Sequence, residues 1–317
     1  MAVAGSRRMM WPVEMAVVVI GLLAMASPTM QLSMKNPLQG AVQKINDLKP
    51  PVYAIIVTTT SSEQAFNESG IFNSTSSVAY KGRTFLLGTI YGRRFVFVNS
   101  PANPSINVAI TVEIMAAKFN LLGIIYFGSA GALNDWLSVG QVAVPSAVGS
   151  TGLWKWLPYN ASKEGLLKFA EFNEPEEGEN LLGSVLYEKS KVYVNGTFKE
   201  SIWIEVTPEW QQIADKIEID FVFTGLRISS ADTYVSNEAY RDFLYKTFET
   251  SVVDTSSIAV ALGAHTNELP FILFNGVSNY ADGGESNSDL ANTCAVKVLE
   301  CFIHLLLGRP SPASYDD

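Results

Sequence analysis

The chain has 317 residues, 48% of them apolar, and a net charge of −9. That length can bury a sizeable core, and the acidic balance leaves no basic stripe for neutralising phosphates, which argues against a nucleic-acid partner. With two histidines, two cysteines and no CxxC or HExxH spacing, a zinc centre or a histidine-based triad is not expected, nor is any resident metal or cofactor.

At the N-terminus, Arg7 and Arg8 precede an apolar run over residues 15–26. The run is shorter than the ~20 residues that cross a bilayer as a helix, which is the case against a stable membrane anchor. Ala24-Met25-Ala26 offers a small-x-small cleavage site, so residues 1–26 read as a signal peptide and residues 27–317 as one mature domain. Sequons at Asn67, Asn73, Asn160 and Asn195, in loop-like sequence, fit a secreted or vacuolar glycoprotein. The acidic run over residues 171–180 reads as a solvated loop. Cys294 and Cys301 lie seven residues apart on one helical pattern, about 10 Å of rise, which is too far for a disulfide.

In chain order, VYAIIV (52–57) is a first buried strand. TFLLGTI (84–90) and RRFVFVNS (93–100) form a hairpin through Tyr91-Gly92. Asn103 and Pro104 supply an N-cap and first helical residue for residues 105–119. LGIIYF (122–127) is a strand ending in the polar turn GSAGAL (128–133), and QVAVPSAV (141–148) is another strand. The middle, 150–207, is looser. Pro208 opens a helix, DFVFTGLRISS (220–230) is a strand ending in the turn SADTYV, and Ser236 caps the next helix. Asp254 starts a further helix, FILFNGV (271–277) is a strand opening into the loop SNYAD (278–282), and residues 289–307 form the last helix. Continuous apolar strands alternating with helices predict an α/β fold: a three-layer α/β/α sandwich around a twisted, mostly parallel mixed sheet.

The three polar turns follow strands, where an α/β sheet binds ligands, and Asp254 at the start of a helix is a fourth candidate. Each alone could be an ordinary connection; Gly128 and Gly131 could serve a tight turn, and Asp254 could cap its helix. Together and in this order they resemble the nucleoside phosphorylase and nucleosidase superfamily. GSAGAL, followed by Val139-Gly140-Gln141, is similar to its glycine-rich turn and "VGD" strand. SADTYV resembles its base-stacking turn, VVDTSSIA its ribose-binding helix start, and GVSNYAD its catalytic loop. TGLWKW (151–156) and the signal peptide resemble the plant bark and vegetative storage proteins of that superfamily.

The resemblance implies roles for particular residues. Ser129, Ala130 and Gly131 would line the base and ribose-phosphate pocket. Tyr234 would stack on a purine, and Val235 and Val253 would form apolar walls. Asp254 would bind the ribose hydroxyls where a glutamate is usual, and Ser278 and Asn279 would face the base. The family's sites are commonly completed by a neighbouring subunit, which implies a homo-oligomer.

Departures from the family's pattern are equally informative. N-glycosidic cleavage develops negative charge on the leaving purine, and the hydrolases supply an acid, generally aspartate, where this chain has Asn279. An amide can hydrogen-bond N7 but cannot cycle a proton as a carboxylic acid does. Asp282 is a candidate substitute, but reads more readily as a turn residue. The only glutamate near the family's water-activating position is Glu63. Phosphorylases often carry an arginine two residues before the Gly-Ser pair; here it is Tyr126. Their glycine-rich phosphate loop reads SPANPS (100–105), with Pro101 and Asn103 in place of glycines.

Three readings follow. The favoured one is a storage glycoprotein with a degenerate catalytic site. The second is an active purine or cytokinin-riboside phosphorylase or nucleosidase, with phosphate as co-substrate if a phosphorylase. The third is a purine or nucleoside binder without turnover.

Overall fold

A computed structural model of the protein describes residues 51–158, 165–168, 183–194 and 196–309. The signal peptide, the sequons at Asn160 and Asn195, and the acidic run lie outside the described residues.

The chain opens on β1 (Val52–Val57), whose apolar run is buried almost throughout. Helix α1 (Thr60–Ser69) follows, its first turn tied by the Thr59 hydroxyl accepting from Ser62 N. Strands β2 (Asn73–Tyr80), β3 (Arg83–Ile90) and β4 (Arg93–Asn99) form a meander. Its two tight turns hold Lys81-Gly82 and Tyr91-Gly92 at positive φ, the geometry that matches the strands' twist. Neither α1 nor β2 stands out in the sequence, because one is polar and the other a Ser/Thr-rich, exposed edge. The sequons there are not in loops. Asn67 lies on α1 and Asn73 opens β2, both exposed.

Helix α2 (Ile106–Lys118) begins two residues later than its proline suggested. Ser105 is its N-cap, while the Asn103 amide donates instead to the Tyr234 hydroxyl. The long strand β5 (Leu121–Ala132) leads to β6 (Val142–Ser150). An outlying three-stranded sheet follows, from β7 (Trp154–Trp156), β8 (Leu167–Lys168) and β9 (Ser184–Tyr187). Strands β10 (Ser190–Val194) and β11 (Thr197–Ser201) make a hairpin, and β12 (Trp203–Glu205) returns to the main sheet. After α3 (Pro208–Ala214) come β13 (Val222–Ser230), α4 (Glu238–Phe248), the short β14 (Val252–Asp254), α5 (Ser257–Thr266), β15 (Phe271–Tyr280) and α6 (Ser288–Leu306). Asn237 rather than Ser236 caps α4, its side chain accepting from Tyr240 N.

The main sheet is ten-stranded and mixed, running β12-β6-β13-β14-β5-β1-β4-β3-β2, with β15 joined to both β5 and β6. Five of these strands close on themselves. β5 pairs with β15, β15 with β6, β6 with β13, β13 with β14, and β14 with β5. Helices α1 and α3 each pack on α6, and α2 packs on α5. The α/β fold around a mixed central sheet therefore holds, with five of the main sheet's ten strand pairings parallel. Gly276 shows how tightly the layers meet, since a Cβ there would lie 2.1 Å from the Ala291 carbonyl oxygen on α6. Cys294 and Cys301 are unbridged on α6. No described helix is long and apolar enough to cross a membrane.

Candidate functional site

Two of the expected polar turns are strand. GSAGA continues β5, and Ser278, Asn279 and Tyr280 continue β15, because the two strands pair in parallel to their ends. Their small, hydroxyl-rich residues look like turn signals, but each strand satisfies the other's backbone groups. Gly128 and Gly131 are extended rather than turning. A Cβ on Gly128 would lie 2.7 Å from the Tyr126 hydroxyl, and one on Gly131 3.1 Å from Ala281 Cβ. A one-residue bulge in β15 between Val277 and Asn279 re-aims Ser278.

These strand ends, with the turns after β1, β13 and β14, surround one cavity of about 310 Å³. Ser129, Ala130, Gly131, Tyr234, Val235, Val253, Asp254, Ser278 and Asn279 all line it. The sequence-picked residues are thus brought together. Thr58, Ala102, Asn103, Tyr126 and Ser256 line it as well. Tyr234 is 75% exposed, so it stands at the mouth rather than inside, with its hydroxyl held by Asn103.

Asp254 is the last residue of a strand rather than the first of a helix, and it is buried. Its Oδ1 accepts from Ser256 N (3.2 Å) and Ser257 N (3.1 Å), and its Oδ2 from Ser257 Oγ (2.7 Å). It therefore does the N-terminal capping of α5, whose own cap residue Ser256 makes no side-chain capping bond. The Tyr126 hydroxyl (3.4 Å) and Asn275 Nδ2 (3.5 Å) close on the same Oδ2. Burial pushes the Asp254 carboxyl above the usual range, opposed by bonds from Ser257, Ser230 and the Ser256 and Ser257 amides. Burial, then the charge of Asp254, pushes the Tyr126 phenol up as well.

Asn279 also has local partners. Its Oδ1 accepts from Ser278 Oγ (2.8 Å) and its Nδ2 donates to Tyr280 O (2.7 Å). Asp282 does not line the cavity. Its Oδ1 accepts from Gly284 N (3.0 Å), and its Oδ2 lies 3.9 Å from Arg241. Arg241 is a residue that sequence reasoning missed, because an arginine in an amphipathic helix reads as surface. Here it is buried, donating to Ala132 O (3.2 Å) and Asp135 (2.6 Å), with its guanidinium 5.2 Å from the Tyr280 ring centre. It ties the ends of β5 and β15 together.

Glu63 also misses the cavity. It accepts from Asn99 Nδ2 (2.7 Å) in an adjoining groove that Pro101 also borders. The N-terminus of α2 is occupied by an acid from the chain itself: Asp232 accepts from Ser105 N (2.6 Å) and Ser105 Oγ (3.0 Å). No lysine, arginine or histidine is among the described residues lining the cavity, and no cluster of potential metal ligands occurs among the described residues.

The family model "Phosphorylase superfamily" matches residues 52–307. The chain belongs to the phosphorylase superfamily. It is 35% identical to Bark storage protein A of Populus deltoides over 309 residues, covering 91% of this chain and 98% of that one. Among solved structures, the 5'-methylthioadenosine/S-adenosylhomocysteine nucleosidase of Helicobacter pylori superposes with a TM-score of 0.61 at 16% identity, covering 80% of this chain and 97% of the other. The Streptococcus pneumoniae MTA/SAH nucleosidase in complex with 8-aminoadenine gives 0.60 at 18% identity, covering 80% and 98%. Both structural likenesses speak to the fold.

Proposed function

We propose that the protein is a secreted or vacuolar storage glycoprotein whose nucleoside-phosphorylase-type site no longer turns over substrate. The observation carrying this is the state of the charged groups. The one carboxylate lining the cavity, Asp254, already accepts from the start of α5, and no cation lines the described wall. Phosphorolysis needs cations and free N–H donors for its anion, and the α2 N-terminus is spent on Asp232. Hydrolysis needs an acid for the leaving base and a base for water. Asn279 is an amide, and Glu63 and Asp282 lie outside the cavity. The likeness to a bark storage protein over 91% of the chain supports the storage role.

The test is to incubate the purified mature glycoprotein with adenosine, inosine and a cytokinin riboside, with and without phosphate, and to measure free base. No release above buffer is expected; phosphate-dependent release overturns the reading in favour of an active phosphorylase. The intact cavity favours one addition, that the protein retains a purine or nucleoside without cleaving it, as a homo-oligomer in the family manner. Calorimetry with adenine and adenosine tests this retention.

A further inference from the structure

The two sides of the cavity differ in what they leave open. Towards β15, Val235 and Val253 contribute apolar wall to the cavity, and Ser278 and Asn279 line it with a hydroxyl and an amide. One of the two Asn279 Nδ2 hydrogens is used by Tyr280 O, so the other can donate to a ring nitrogen. That combination of aliphatic faces and an amide edge suits a flat nitrogen heterocycle.

Towards β1, a hydroxyl chain runs through the cavity wall. Ser256 Oγ lies 3.4 Å from Thr58 Oγ1, Thr58 Oγ1 lies 3.5 Å from the Tyr126 hydroxyl, and Tyr126 lies 3.4 Å from Asp254 Oδ2. Tyr126 is among the largest fully buried side chains, so its ring has no room to swing aside. Gly128 has no Cβ where the phenol passes it. Among the described residues lining the cavity, Asp254 is the carboxylate that could receive a sugar's paired hydroxyls, and the Tyr126 hydroxyl already lies against its Oδ2.

Resting on the reading that the site binds without turnover, we propose that Tyr126 makes the cavity selective for a free purine base over its nucleoside. The ring's bulk excludes the pentose, while the β15 side receives the base. The cavity's 310 Å³ sits at the small end of the roughly 300–1,000 Å³ that ligand sites span.

The experiment is equilibrium binding of adenine and adenosine to the mature glycoprotein, wild type first. Adenine is expected to bind at least about tenfold more tightly than adenosine. In Tyr126→Asn, which removes the ring, adenosine is expected to gain until the two ligands bind within about threefold. Tyr126→Phe keeps the bulk and drops the hydroxyl, so its preference for adenine is expected to stay near wild type. Equal wild-type affinities, no adenine binding, an unchanged ratio in Tyr126→Asn, or a Tyr126→Phe variant as relaxed as Tyr126→Asn would each overturn the proposal. If Tyr126→Asn does not fold, the wild-type ratio and Tyr126→Phe still decide. Failure here leaves the storage role standing, whereas base release from nucleosides overturns the storage role and is read in a separate assay.

Discussion

The two flanks of the cavity are built from neighbouring strand ends, yet they have been treated differently. The β15 flank presents Val253, Ser278 and Asn279 around open space. The β1 flank presents Thr58, Tyr126, Asp254 and Ser256, whose polar atoms contact one another. A buried polar cluster that satisfies itself is a stable piece of scaffold, whereas a catalytic one must leave groups unsatisfied for substrate. The contrast is between a flank whose polar atoms contact one another and one that leaves a hydroxyl and an amide on the cavity wall.

The largest expected effect lies behind the open flank. Gly276→Ala places a methyl against the Ala291 carbonyl and should cost about 3 kcal/mol or more, read as a lower urea midpoint. A near-neutral result would mean that β15 has slack, weakening the contrast with the fixed flank.

Arg241→Ala comes next. It removes the bonds to Ala132 O and Asp135 and should cost roughly 2 kcal/mol. Arg241→Lys should recover less than half, since the compact ammonium lacks the guanidinium's extended planar set of donors that reaches Ala132 O and Asp135 together. Full recovery would reduce Arg241 to a point charge.

A smaller effect tests the closed flank through pH. The folded carboxyl of Asp254 is raised, chiefly by burial. Its stabilising contribution is therefore complete below the unfolded value of about 3.9 and is lost as pH rises through the raised folded one. The stability difference between wild type and Asp254→Asn should fall as pH rises from about 4 to about 7. A difference that grows instead would mean that hydrogen bonding to the ionised form outweighs burial.

Much of this was legible in the sequence, at the level of elements. The apolar runs of β1, β4 and β15, the Tyr91-Gly92 turn and Pro208 at the start of α3 are local signals, and the structure follows them. The residues around the cavity were legible because four motifs occur in order. Long-range pairing was not. GSAGA and SNY read as turns, yet β5 and β15 hold each other extended. Asp254 reads as a helix start, yet it ends a three-residue strand that pairs with β13 and β5. Tyr126 sits in the apolar run IIYF at a position the family resemblance marks, but only the fold brings its hydroxyl to Asp254, 128 residues away.

The central claim is that the β1 flank is closed, so that the proposed loss of activity extends beyond one missing acid. Asn279→Asp tests this most directly, because it restores a carboxyl on the open flank and leaves the closed flank as it is. The measurement is free base released from adenosine by the mature variant, with an unchanged urea midpoint as the check that the fold is intact. No release above wild type, with the midpoint unchanged, is the expected result. Restored hydrolysis would contradict it, placing the whole defect in one amide.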